Sequence, residues 1–146
     1  VLAGVEYVDS TTKKTTFLNY WPGSNSVSVD TNFPVKAFVF DNPMQLYTVV
    51  ADGTNTDRAT ALADTFANCD MASVNNGSTN TGKSSDMLDI STAATTANLD
   101  VRIVGIYDDP ANEDFSAVGH QYIVRLNAHF NSGFAAAVGT AANTGI

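Results

Sequence analysis

Leu99–Tyr107 (LDVRIVGIY) and Gln121–Phe130 (QYIVRLNAHF) decide the fold class. The first gathers Val101, Ile103, Val104 and Ile106 into a short apolar run that stops at Asp108-Asp109-Pro110. The second sets Tyr122, Val124, Leu126, Ala128 and Phe130 at every other position, the period of a strand with one buried face. Neither has the i, i+3, i+4 spacing of a buried helix face. Arg102 and Arg125 fall one on each segment and are expected to face solvent or to be paired.

The chain on the N-terminal side repeats this pattern. Leu2–Val8, Thr15–Trp21, Val27–Val29, Val35–Phe40 and Met44–Ala51 read as strands. Asp9–Lys14, Pro22-Gly23, Asp41-Asn42-Pro43 and Asp52-Gly53 punctuate them as turns. Gly4 inside the first strand predicts a bend or a close backbone approach. The short Asp-Asn-Pro link predicts that 35–40 and 44–51 are antiparallel neighbours. Lys13-Lys14 is expected to be a solvated turn.

The middle is less regular. Ala59, Leu62, Ala63 and Phe66 follow helical spacing within 56–68, which fits a short amphipathic helix or an irregular strand. Asn75–Ser85 is a polar loop, Met87, Leu88 and Ile90 restart structure, and Ser91–Asn98 reads as a turn. The expectation is an all-β protein: a single β-sandwich or β-barrel of about eight strands, with long polar loops and at most one short helix. The β domain spans 1–130, and 131–146 form an Ala/Gly-rich tail or arm.

Composition supports that class. The chain has 146 residues, with 15 acids against 7 bases and a net charge of −8. All but Glu6 and Glu113 of the acids are Asp, a poor helix former that favours turns. Charged residues make up only 15 %, well below the usual roughly 25 %. The charge sign argues against nucleic acid, whose phosphates call for Lys and Arg. No apolar run has the length of a membrane span. The single Cys69 cannot form an intramolecular disulfide and has no base beside it in sequence to activate a thiolate.

Catalytic motifs are sparse, and the expectation is no enzyme, no cofactor and no metal. His120 and His129 are nine residues apart and would face opposite sides of one regular strand. Gly77–Ser84 formally reads G-x-x-x-x-G-K-S. A phosphate loop must follow a buried strand and open a helix, and neither is expected here. Asp108–Asp114 is rich in carboxylates but lacks the spacing and glycine of an EF-hand, and is expected to be a solvated loop. Tyr20 and Trp21, before Pro22, are a candidate aromatic contact for a partner or a glycan.

Several segments taken together resemble a family of structural proteins of tailed bacteriophages, especially marine ones. They are Gly4–Asp9, Asn19–Gly23, Ala37–Pro43, Asn80–Ser84, Val104-Gly105 with Asp109–Asn112, and Ile123–His129. The likeness runs along nearly the whole chain in order. Members usually have a further N-terminal segment, which would account for a first residue other than Met. The resemblance implies a virion protein without catalytic residues: a capsid decoration (cement) protein on the head surface, present in the host cytoplasm during assembly. Its implied partners are the major capsid protein and copies of itself, in a trimer where local threefold positions are occupied. A tail or baseplate component is the alternative within the virion, and a carbohydrate-binding β-sandwich the alternative outside it. Tyr20, Trp21, Phe134, Val138 and Ile146 are the candidate interface residues.

Overall fold

The computed structural model describes residues 1–72, 77–96, 99–127 and 129. Their regular structure is almost entirely β: eight strands in two antiparallel sheets, of three and five strands, with one short α-helix. The chain divides into two compact units, Val1–Asp41 with Asn75–Ser85, and Asn42–Val74 with Asp86–Ile146.

In the smaller unit β1 (Leu2–Val8) is the central strand, flanked by β2 (Thr15–Leu18) and β3 (Lys36–Val39). Alternation along β1 buries Val5 and Tyr7 on one face and places Gly4 and Glu6 on the other. The register shifts between Leu2 and Gly4, leaving an extra residue opposite β3. Gly4 is where the predicted close approach occurs. The Phe17 ring lies over it, and a Cβ there would collide with that ring. The hairpin from β1 to β2 is tied by Asp9, whose carboxylate accepts from the Thr11 and Thr12 N–H groups at 2.9 and 2.7 Å. Lys13 is not a free turn residue, because its ammonium meets the buried Asp30 carboxylate at 2.8 Å. The expected strand at 27–29 contracts to a single bridge, Asp9–Val29.

The larger unit orders its strands β4-β8-β7-β5-β6: β4 (Leu46–Val50), β5 (Asn68–Ala72), β6 (Met87–Ala94), β7 (Val101–Ile106) and β8 (Gln121–Leu126). Its core joins Cys69, Leu88, Val101, Ile103, Tyr122 and Val124 with Ala51, Ala61 and Phe115. The sheet does not close into a barrel; β4 reaches β6 only at the parallel Ala51–Leu88 bridge. The two segments that announced the fold, β7 and β8, are its central pair, with Ile103 opposite Val124 and Arg102 opposite Arg125.

Several expectations change. β3 and β4 do not pair: β3 lies against β1 and β4 against β8. The Asn42 side chain and carbonyl bond the Met44 and Gln45 N–H groups, so the link closes a turn on itself instead of a hairpin between its flanking strands. The helix α1 is only Arg58–Ala63, capped by Asp57, which accepts the Thr60 N–H at 2.8 Å. Its buried residue is Ala61, while Leu62 and Phe66 are exposed, so the apolar set with helical spacing is not the face that packs. Phe66 leaves helical geometry at φ 72° and donates its N–H to Ile103 O, which feeds the chain into β5. β6 continues to Ala94 through the stretch read as a turn. β8 stops at Leu126, because the Asn127 backbone and side chain bond Asp100 O and Leu99 O, both at 3.0 Å. The 131–146 tail lies outside the described residues.

Candidate functional site

The sequence of β3 and its approach, Thr31–Phe40, is exposed at every position. Phe38 and Val39 are 45 % and 59 % exposed, and Phe33, Val35 and Phe40 are similarly open. Among the described residues β3 is an edge strand, with β1 on one side and no strand paired on the other. The Phe40 N–H donates to Val1 O at 2.8 Å, so Phe40 points its backbone groups inward toward β1. By strand alternation Lys36 and Phe38 do the same, and Val35, Ala37 and Val39 turn their N–H and C=O groups outward.

One face of this sheet is aromatic. Phe17 on β2 and Phe38 on β3 meet across Gly4 with ring centroids 5.9 Å apart. Next to them the Lys36 ammonium reaches Glu6 Oε1 at 2.7 Å. An edge lysine normally discourages strand pairing. Here the lysine is held over its own sheet by Glu6.

Tyr20 and Trp21 lie in the same unit, and the structure brings both to a groove of about 500 Å3. Asn19, Leu2, Ser78 and Lys83 complete its wall. Trp21 is set edge-on to buried Tyr7, 6.1 Å between centroids, which fixes the indole while leaving it 37 % exposed. Gly82, at φ 69°, lies so close to Asn19 that a Cβ would meet the Asn19 side chain at 2.6 Å. This glycine therefore lets the loop approach. Aromatic surface beside amide, hydroxyl and ammonium groups is the chemistry of a small polar ligand site.

In Gly77–Ser84, the phosphate-loop string, four of the backbone amides are committed within the loop. Ser78 N–H bonds Lys83 O at 2.9 Å and Gly82 N–H bonds Ser78 O at 2.7 Å. The Thr81 and Lys83 N–H groups are taken by Ser78 Oγ and Thr81 Oγ1. Contrary to expectation a strand, β5, precedes the loop, but the next element is strand β6 and not a helix. A phosphate cradle needs N–H groups aimed at the ligand and a helix N-terminus behind them.

Most carboxylates of the acidic loop are exposed, with the Asp108 side chain 85 % open, yet they have partners. Arg58 clamps it from α1, with Nη1 on Glu113 Oε1 at 2.8 Å and Nη2 on Asp108 Oδ1 at 3.1 Å. Asp109 and Asp114 each accept a nearby backbone N–H, from Ala111 and Ser116. Among the described residues no group of His, Cys, Asp and Glu is arranged to hold a metal ion. His120 and His129 do not share a strand, since β8 lies between them. His120 is buried between the Phe115 and Tyr122 rings. Tyr122 accepts from Asn55 Nδ2 at 2.8 Å and donates to Asp64 Oδ2 at 3.3 Å.

Of the residues expected at an interface, Tyr20 and Trp21 converge on the groove, and Phe134, Val138 and Ile146 lie outside the described residues. Sequence reading passed over β3 as a contact surface and took Val35–Phe40 for an apolar strand paired with 44–51. The signal that separates the two is the flank: Thr31-Asn32-Phe33-Pro34 and Asp41-Asn42-Pro43 put Pro on both sides, as edge strands often do. No helix of the described residues is long and apolar enough to cross a membrane. Set against known protein families, curated proteins and solved structures, the chain matches none of them.

Proposed function

We propose that this chain is a virion structural protein, a decoration protein that attaches to a phage capsid and to copies of itself. The observation that carries the reading is the Thr31–Phe40 surface: ten consecutive exposed residues with no acid, which include the edge strand β3. An exposed, apolar sheet edge is a hazard for a free monomer and a contact for an assembly subunit. The low charge content and the likeness to phage structural proteins point the same way, and the charge of −8 speaks against nucleic acid as the partner.

A cement of this kind binds the assembled shell and not its separate subunits, so mass action stabilises the shell. Contacts of standard size bury roughly 1,200–2,000 Å2 in total. The test is the stoichiometry of the chain against the major capsid protein in purified particles. Copies in the hundreds fit the head, and a small multiple of the tail symmetry moves the chain to the tail or baseplate. Absence from particles ends the virion reading. Particles stripped of the protein should lose heat resistance and regain it when the protein is added back.

The groove favours a second reading, a carbohydrate-binding module. Its observation is the fixed, part-exposed Trp21 beside Asn19, Ser78 and Lys83. Binding on a glycan array that disappears with Trp21→Ala would support it, and a blank array would remove it.

A further inference from the structure

We infer that β3 is completed by the β3 of a second copy, paired antiparallel about a two-fold axis at Ala37. The pairing names the self-contact that the virion reading calls for, and in that sense rests on it.

The backbone sets the register. The outward groups of β3 belong to Ala37 and Val39, and the same alternation carried one residue before the strand adds Val35. An axis at Ala37 sets Ala37 opposite itself and Val35 opposite the second copy's Val39. Each such pair exchanges two N–H···O bonds, so every free group on the edge is used. Pro34, which has no N–H, then falls at a position that needs none. The alternative axis, at Phe38, would set Asp41 opposite Val35 and bring a carboxylate to each end of an apolar seam.

Side chains and charge agree with the Ala37 axis. Lys36 of one copy falls opposite Phe38 of the other, setting the lysine's alkyl stem beside a ring on the face where Phe17 and Phe38 already meet. Ala37 is small, so the self-pair at the axis is uncrowded. Copies carrying −8 each repel, and Thr31–Phe40 brings no acid of its own to the approach, with Lys36 already balanced by Glu6. Strand addition draws its affinity from main-chain bonds, with side chains giving specificity. The contact is isologous and therefore stops at two copies.

Sedimentation of the purified full chain at high micromolar concentration tests this. The expected species has twice the 15.4 kDa mass and dissociates on dilution. Ala37→Pro removes an outward donor, and Val39→Glu sets a carboxylate against the second copy's Val35. Each should leave a monomer with an unchanged circular dichroism spectrum. If Ala37→Pro does not fold, Val39→Glu and amide exchange of the unaltered protein decide. Exchange at Ala37 and Val39 should slow at least about tenfold in the associated form. A monomer at all concentrations, a trimer, or a dimer indifferent to both substitutions overturns the pairing. These outcomes are independent of particle stoichiometry: a dimer missing from particles sinks the virion reading alone, and a monomer found on them sinks the pairing alone.

Discussion

Cys69 is fully buried in the centre of the larger unit, and burial pushes its thiol up to about 12, with the Asp64, Asp89 and Asp70 carboxylates adding to the effect. Burial raises the Tyr122 hydroxyl in the same direction, again helped by Asp64. Both groups are neutral when protonated, so the folded state holds their protons more tightly than the unfolded chain does. Their contribution is complete below the unfolded value, 9.0 for the thiol, and drains away as pH rises through the folded value. The urea midpoint should therefore hold steady up to about pH 8.5 and fall above it. Cys69→Ala should flatten the early part of that fall, whatever it costs at neutral pH. A midpoint unchanged to about pH 11 would contradict the burial of both groups. The thiol should also react with a disulfide reagent only as fast as the chain opens.

At the scale of elements, Asn112 does the work of a missing piece of sheet. It sits in the short 3-10 turn Pro110–Asn112 and is buried. Its Nδ2 donates to Tyr107 O at 2.7 Å and Gln121 O at 3.0 Å, and its Oδ1 accepts the Gln121 N–H at 2.7 Å. One side chain thus ties the end of β7 to the start of β8. Asn112→Ala should cost about 1–3 kcal/mol, because it leaves the part-buried Tyr107 carbonyl and Gln121 N–H without their amide partner. Asn112→Asp should also destabilise, since it keeps the acceptor and loses the donor. A loss under about 0.5 kcal/mol in urea unfolding would show that water replaces the amide freely. β7 and β8 were legible in the sequence because their apolar residues repeat without interruption. β5 was not, because Asn68 and Asp70 break its pattern. Asn68 is nevertheless buried: its Nδ2 reaches Thr96 O and its Oδ1 accepts from Arg102 Nε at 3.0 Å. Polar residues satisfied by distant partners are invisible to periodicity. The helix misled in the opposite way, since spacing marked Leu62 and Phe66 while small Ala61 is the residue that packs. Tyr20 and Trp21 could be chosen from sequence as exposed aromatics, but the loop opposite them could not, because it is distant along the chain and purely polar.

For the whole molecule the main opposing terms are a charge of −8 and an apolar edge. Repulsion between copies is screened by salt, while strand pairing is not. Self-association should therefore strengthen by about three- to tenfold between 20 and 200 mM salt, as the Debye length shortens from roughly 20 Å to under 10 Å. Sedimentation at fixed protein concentration checks this. Association that weakens with salt would mean that ion pairs, not backbone bonds, hold the copies.

The division of the chain has a consequence for its gene. The smaller unit is coded in two pieces, Val1–Asp41 and Asn75–Ser85, and the second piece interrupts the reading frame of the larger unit. That interruption falls where β5 and β6 pair, with Ala72 directly opposite Met87. The codons between them can be exchanged for an Asn-Gly turn, which joins such strands in two residues. With the codons for Val1–Asp41 also removed, the larger unit is coded without interruption from Asn42 onward. The smaller unit has no such frame of its own, so no single crossover can transplant it or delete it.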